Sequence, residues 1–126
     1  MAWTQNRALG WAAISGGVAV AAGAFAAHGV VDPVARDWLK TGASYQLTHA
    51  LAVFACAAAI RPGTRPAIWA PALFLIGATV FSGTLYAMAF GAARWLGAIT
   101  PVGGLSLIAG WVVLAWGTFR SPDNPL

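Results

Sequence analysis

The sequence predicts an all-α integral membrane protein, a four-helix bundle with both termini on the same side. Three observations carry that expectation. Four apolar runs, at residues 8–29, 41–60, 67–90 and 97–119, fill most of the 126-residue chain. Each has the roughly twenty residues a helix needs to cross a ~30 Å hydrocarbon core. Only 8% of residues are charged against 60% hydrophobic, and mean hydropathy is +0.73, more apolar surface than a soluble domain of this size hides from water.

The elements follow in order, as one domain over residues 1–126. Helix one spans about residues 8–29. It is longer than the roughly 7–15-residue core of a secretory signal, so it reads as a spanning helix despite Arg7 ahead of it and the small-residue triplet Ala24-Phe25-Ala26. Residues 30–36 form a turn marked by Asp32-Pro33. Helix two covers about 37–60, with Trp38, Leu39 and Lys40 suited to an interfacial start. Arg61-Pro62-Gly63-Thr64-Arg65-Pro66 is a loop, because two prolines and a glycine oppose a helix through it. Helix three covers about 67–90, with Pro71 in its first turn, where a missing N–H does no harm. After a short turn at 91–95, helix four covers about 97–119, again with an early proline, Pro101. A polar tail ends the chain.

Net charge is +4, and the seven basic residues, Arg7, Arg36, Lys40, Arg61, Arg65, Arg94 and Arg120, are scattered at helix ends. That distribution anchors helices at lipid headgroups and makes no basic stripe for a nucleic acid. Four of the seven fall on the side of the termini, which favours cytoplasmic termini. Trp3, Trp11, Trp38, Trp69, Trp95 and Trp116 lie near predicted helix ends, as an interfacial aromatic belt requires. The single Cys56, inside the second run, forms no intrachain disulfide and reads as a small core residue.

Helices in lipid associate through close packing of small residues. The expected seams are Gly16, Gly17, Ala21, Ala24 and Ala27 on helix one, Gly77 and Gly83 on helix three, and Gly103, Ser106 and Gly110 on helix four.

Polar residues inside the spans are the candidates for function. His28 ends helix one. Tyr45, Gln46 and His49 are assigned to one face of helix two, Thr79, Ser82 and Tyr86 to a stripe on helix three, and Thr100 to the first turn of helix four. All fall in the middle or the non-cytoplasmic half, which suggests a shared interior cluster. Three readings stay open: hydrogen bonds that fix helix register, a pocket for a small molecule, quinone, lipid headgroup or ion, and metal or haem ligation by His28 and His49. Those two histidines stand ~12 Å apart along the axis, a poor ligand pair. No carboxylate lies within a span, and no Ser-His-Asp or Cys-His spacing stands out. Asp32 and Asp37 are expected to neutralise Arg36 and Lys40.

Five motifs in this order complete the sequence reading: Gly23-Ala24-Phe25-Ala26-Ala27-His28-Gly29, Tyr45-Gln46-Leu47-Thr48-His49-Ala50-Leu51-Ala52, Phe81-Ser82-Gly83-Thr84-Leu85-Tyr86, Leu96-Gly97-Ala98-Ile99-Thr100-Pro101-Val102-Gly103-Gly104, and Gly110-Trp111. Over essentially its whole length the chain resembles the domain of unknown function 423 family of small membrane proteins, YgdD-like in bacteria and transmembrane protein 256-like in eukaryotes. Ala26 stands where a glycine is common in the family. The resemblance implies a four-helix protein of the bacterial inner membrane and no particular reaction, substrate or cofactor. The matching positions include His28, Tyr45, Gln46, His49, Ser82, Tyr86 and Thr100.

The expectation is therefore a multi-pass inner-membrane protein that is not an enzyme, with no catalytic residues, metal or cofactor. Its role would be structural, accessory or lipid-interacting, with membrane lipids as partners and a homo-oligomer or larger membrane complex as its setting. A small oligomeric transporter and a quinone- or ligand-binding protein are the alternatives. For each, the candidate ligand-binding residues are His28, Tyr45, Gln46, His49, Ser82, Tyr86 and Thr100.

Overall fold

The computed structural model describes residues 4–60 and 65–121, with only the backbone of Arg65. Trp3, the loop residues 61–64 and the tail 122–126 lie outside the described residues. Four helices follow one another: α1 at Gln5–His28, α2 at Pro33–Ala59, α3 at Ala70–Ala89 and α4 at Thr100–Arg120. Tight 3₁₀ turns at Arg65–Trp69 and Arg94–Ala98 lead into α3 and α4, so both begin three residues later than expected.

The local chemistry of the ends explains these bounds. The Thr4 hydroxyl caps α1 by accepting from the Arg7 amide at 3.3 Å. Asp32 caps α2, its carboxylate accepting from the Ala35 amide at 2.9 Å, and Pro33 fills the first helical position. Asp32-Pro33 is thus a helix start, and α2 begins four residues before position 37. The Arg36 guanidinium donates to the Val30 carbonyl at 2.7 Å, so Asp32 and Arg36 each take a backbone partner instead of neutralising one another. At the far end of α3, Gly91 adopts φ +99°. The Ala92 amide reaches back to the Ala87 carbonyl at 2.9 Å and the Gly91 amide to Met88 at 3.1 Å. That is the Schellman pattern, which needs a left-handed residue where glycine is cheapest.

Helices adjacent in sequence pack against one another: α1 on α2, α2 on α3, α3 on α4. α1 meets α3, and α4 meets α2, far less. The result is a central α2–α3 pair flanked by α1 and α4. Gly117 of α4 rests on Ala67, and Gln5, Ile60 and Ile68 surround one small cavity. The start of α1 and the end of α4 therefore lie at the same end of the bundle.

Among the described residues three helical stretches, Gln5–His28, Pro66–Ala89 and Arg94–Arg120, are long and apolar enough to cross a membrane by length and composition. α2 is not among them. Its 27 residues would reach ~40 Å, but Arg36, Asp37, Lys40, Gln46 and His49 lower its hydropathy. The fold accommodates this by enclosing α2: ten of its residues are buried, against four each in α1 and α4. A helix screened by its neighbours tolerates polar groups that a lipid-facing helix does not.

The packed apolar core gathers Ala8 and Ala12 of α1, Ala52, Val53 and Cys56 of α2, Ala70, Phe74 and Ala78 of α3, and Leu107 of α4. It fills the half of the bundle nearer the termini. The α1 seam is Ala8, Ala12, Ala19 and Ala26, with Gly16 and Gly23 facing Ala50 and Ala43 at ordinary contact distance. Gly17 faces open space, and Ala21, Ala24 and Ala27 are exposed, so only Gly16 of the expected α1 seam lies on the observed one. On α4 the expected seam holds: Gly103 and Gly110 are buried, and the half-buried Ser106 donates to the Leu73 carbonyl at 2.9 Å.

Candidate functional site

Among the described residues the buried polar side chains are Gln46, His49 and Ser82, on the central helix pair. Gln46 stands thirteen residues from each end of α2, at mid-depth. Its amide joins three helices. The Tyr86 hydroxyl of α3 donates to Gln46 Oε1 at 2.7 Å, and Gln46 Nε2 donates to Ser15 Oγ of α1 at 3.2 Å. One turn away, Ser82 Oγ donates to the Gly42 carbonyl at 2.7 Å. Gly42 is also where the Tyr86 ring lies against α2: a β-carbon there would come within 2.6 Å of that ring.

His49 makes the link to α4. Its Nδ1 lies 2.7 Å from the Tyr45 carbonyl, and Trp111 Nε1 lies 3.1 Å from its Nε2. A carbonyl only accepts and an indole N–H only donates. The pair of partners therefore selects the neutral ring with the proton on Nδ1. Around it the Phe74 and Trp111 rings pack with centroids 4.8 Å apart, and Tyr45 stacks on the imidazole at 6.2 Å while meeting Phe81 at 4.6 Å.

The structure thus brings Tyr45, Gln46, His49, Ser82 and Tyr86 to the α2–α3 core, but not on one face. His49 turns toward α4, while Tyr45, four residues earlier, lays its ring against Phe81 of α3. Gln46, about 100° further round the helix, turns toward α1. Tyr45 is half-exposed and joins through its ring and carbonyl. His28 is exposed at the end of α1 and stands apart from the network. Thr100 pairs with Thr84 at 2.7 Å on the α3–α4 seam. Thr79 is exposed and bonded to the Leu75 carbonyl of its own helix. Both nitrogens of His49 are engaged within the protein, so the pairing of His28 with His49 as metal or haem ligands is not formed. Among the described residues no group of three or more His, Cys, Asp or Glu side chains is placed to hold a metal ion.

Two members of the network were absent from the sequence-level site. Ser15 falls within the buried alanine stripe of α1, three residues after Ala12 and four before Ala19, a stripe that only the docking of α1 on α2 reveals. Trp111 is the tryptophan that lies in mid-span, where a belt residue would not be.

Beside the network, a groove of about 450 Å³ opens between α1 and α3. Trp11, Ile14 and Val18 form one wall and Leu75, Ile76 and Val80 the other, with Gln46 and Ser15 as polar groups within it and Thr79 on its α3 side.

Fold and polar centre together define a small polytopic membrane protein whose helices are tied by buried hydrogen bonds. The chain belongs to the family described as Protein of unknown function (DUF423), which it matches over residues 22–104. That span holds all of α2 and α3, and so Gln46, His49, Ser82 and Tyr86, but neither Ser15 nor Trp111. The chain is 42% identical to a "UPF0382 membrane protein" of Haemophilus influenzae, over 93% of this chain and 97% of the relative. It is 38% identical to the "UPF0382 inner membrane protein YgdD" of Escherichia coli, over 93% and 92%. A "UPF0382 membrane protein" of Staphylococcus saprophyticus is 35% identical over 86% and 92%. No solved structure matches the chain.

Proposed function

We propose that the protein is a non-enzymatic, lipid-interacting accessory protein of the bacterial inner membrane, with both termini in the cytoplasm. The observation that carries this reading is the use made of the interior polar groups. Tyr86, Gln46, Ser15, Ser82, His49 and Trp111 bond chiefly to one another or to backbone carbonyls, and each such bond between helices sets register and rotation. Such contacts average about 0.6 kcal/mol in membrane helices, enough in combination to favour one packing over its neighbours. α1 and α4 meanwhile turn Ile14, Val18, Val20, Val102, Leu105, Ile108 and Val112 outward, an apolar surface suited to lipid or to helices of a larger complex.

The test is thermal unfolding of the full chain in nanodiscs of bacterial polar lipid. Gln46→Leu and Ser82→Ala should melt lower than wild type, and graded return of lipid to detergent-solubilised protein should raise its melting temperature. Variants that fold as stably as wild type while a transport or turnover phenotype disappears would overturn the reading. Fusion of a compartment-sensitive reporter to each terminus tests the orientation, and reporter activity in the periplasm would reverse it.

The ligand-binding alternative is favoured by one specific observation, the polar groups within the groove between α1 and α3.

A further inference from the structure

We infer that the groove between α1 and α3 is a binding site for a membrane-dissolved molecule that carries a carbonyl acceptor on an apolar body, the chemistry of a quinone. The inference uses the membrane-embedded part of the proposed function but not its accessory role.

Hydrogen-bond accounting on the groove floor leads to this occupant. A glutamine amide has two N–H donors and a serine hydroxyl has one donor besides its acceptor sites. Gln46 Nε2 directs one N–H to Ser15 Oγ, which makes that oxygen an acceptor. The second Gln46 N–H and the Ser15 O–H have no acceptor among the described residues. Both side chains line the groove, and Gln46 is only 7% exposed. The site therefore offers two adjacent donors to whatever enters it.

Depth narrows the choice of acceptor. Ser15 lies ten residues from Gln5 and thirteen from His28 in α1, or ~15 and ~20 Å from its two ends. Gln46 lies at the midpoint of α2. The hydrocarbon core is ~30 Å thick, so glycerol ester carbonyls, at its boundary, stand about half that thickness away. Water is absent at this depth, and an unmet donor there is costly. A carbonyl that travels within the hydrocarbon core meets both constraints. The walls suit its body: Trp11 and Ile76 are 57% and 60% exposed at the rim. The volume of about 450 Å³ falls within the ~300–1,000 Å³ common for small-molecule sites.

The experiment uses the full chain in nanodiscs, with decylubiquinone as the probe and decylbenzene as its match without a carbonyl. Native mass spectrometry reads the probe retained per chain across a titration. One decylubiquinone per chain is expected, with decylbenzene held about tenfold more weakly or worse. Ile76→Trp fills the groove from its exposed rim without touching the polar network, and should reduce retention about tenfold or more. Ser15→Ala removes the hydroxyl donor while leaving the Tyr86–Gln46 bond, but it frees the Gln46 N–H that the hydroxyl accepted, so only the geometry of the donor pair changes and retention should weaken by no more than roughly threefold. Equal retention of both probes would show a groove that takes any apolar chain, and would overturn the assignment. So would retention unchanged in both variants, or none in wild type. Melting temperatures of these samples and of Gln46→Leu report the register-setting role separately: an unaltered melt for Gln46→Leu defeats that role whatever the probe does.

Discussion

Gly77 of α3 and Gly103 of α4 cross back to back, so that a β-carbon built on either would stand 2.9 Å from the carbonyl oxygen of the other. The β-carbon of residue 103 would also collide with the Phe81 amide. Backbone, unlike a side-chain tip, cannot swing aside. Lipid supplies no hydrophobic drive between helices, so this close approach adds to the hydrogen bonds that hold α4 to the central pair, through dispersion contacts that fall away over fractions of an ångström.

Gly103→Ala should therefore separate α3 from α4 and destabilise the protein by about 1–3 kcal/mol, the usual scale of overpacking. Gly83→Ala, on the same helix as Gly77 but with nothing within 4 Å of the added carbon, should be neutral or slightly stabilising, since it lowers the entropy of the unfolded chain. Thermal melts of the two variants in one lipid composition check the contrast. Equal melting temperatures would mean that the glycine crossing contributes nothing.

Tyr86→Phe keeps the ring that lies over Gly42 and removes the hydroxyl that donates to Gln46. The expected loss is about 0.6 kcal/mol, with ~1.7 as the upper end for bonds between membrane helices. Combined with Ser15→Ala in a double-mutant cycle, it should show coupling, because both partners act on one amide. Strict additivity would mean that the two bonds form independently and that Gln46 is not a shared hinge of α1, α2 and α3.

How much of this was legible in the sequence depends on the kind of information each feature needs. Helix number and order follow from run lengths, which composition carries directly. The capping of α2 was present in Asp32-Pro33, read as a turn because both residues also favour turns. The α1 seam was not legible, because alanine and glycine surround that helix on every side. Only the partner helix decides that Ala12 and Ala19 face inward while Ala21 and Ala24 face out. The candidate site shows the same limit. Depth along an axis put His28 in the same half of the bundle as His49, but His28 is the last residue of α1 and lies exposed there, and depth ignores rotation about the axis. Gln46 and Tyr45, adjacent in sequence, could not share a face for the same reason. Trp111 and Ser15 acquire their importance only from where α4 and α1 dock.

Asp32→Ala should cost about 1 kcal/mol by removing the cap at the start of α2, whereas Asp32→Asn retains an acceptor oxygen and should cost only a few tenths. The site is exposed, so packing is undisturbed and the pair isolates the cap. Hydrogen exchange at residues 34–36 gives a local readout: faster exchange in the alanine variant alone is expected. Equal exchange in the two variants would mean that Pro33 by itself defines the helix start.

The contact between Trp111 and His49 yields the most specific prediction, because it concerns a proton. Nitrogen NMR of the ¹⁵N-labelled imidazole should show Nδ1 as the protonated, pyrrole-type nitrogen and Nε2 as the pyridine-type acceptor. That arrangement is the reverse of what an unconstrained neutral histidine prefers in water. Trp111→Phe keeps an aromatic ring beside Phe74 but removes the indole donor. The Tyr45 carbonyl would then act alone on Nδ1, so the tautomer should persist while the Nε2 signal moves to the position of an acceptor with no partner. Stability should fall by roughly 0.5–1.5 kcal/mol for the lost bond, with further loss from the smaller ring. An Nε2-protonated ring in the wild-type protein would instead require that His49 make neither contact as placed, and would remove Trp111 from the polar network.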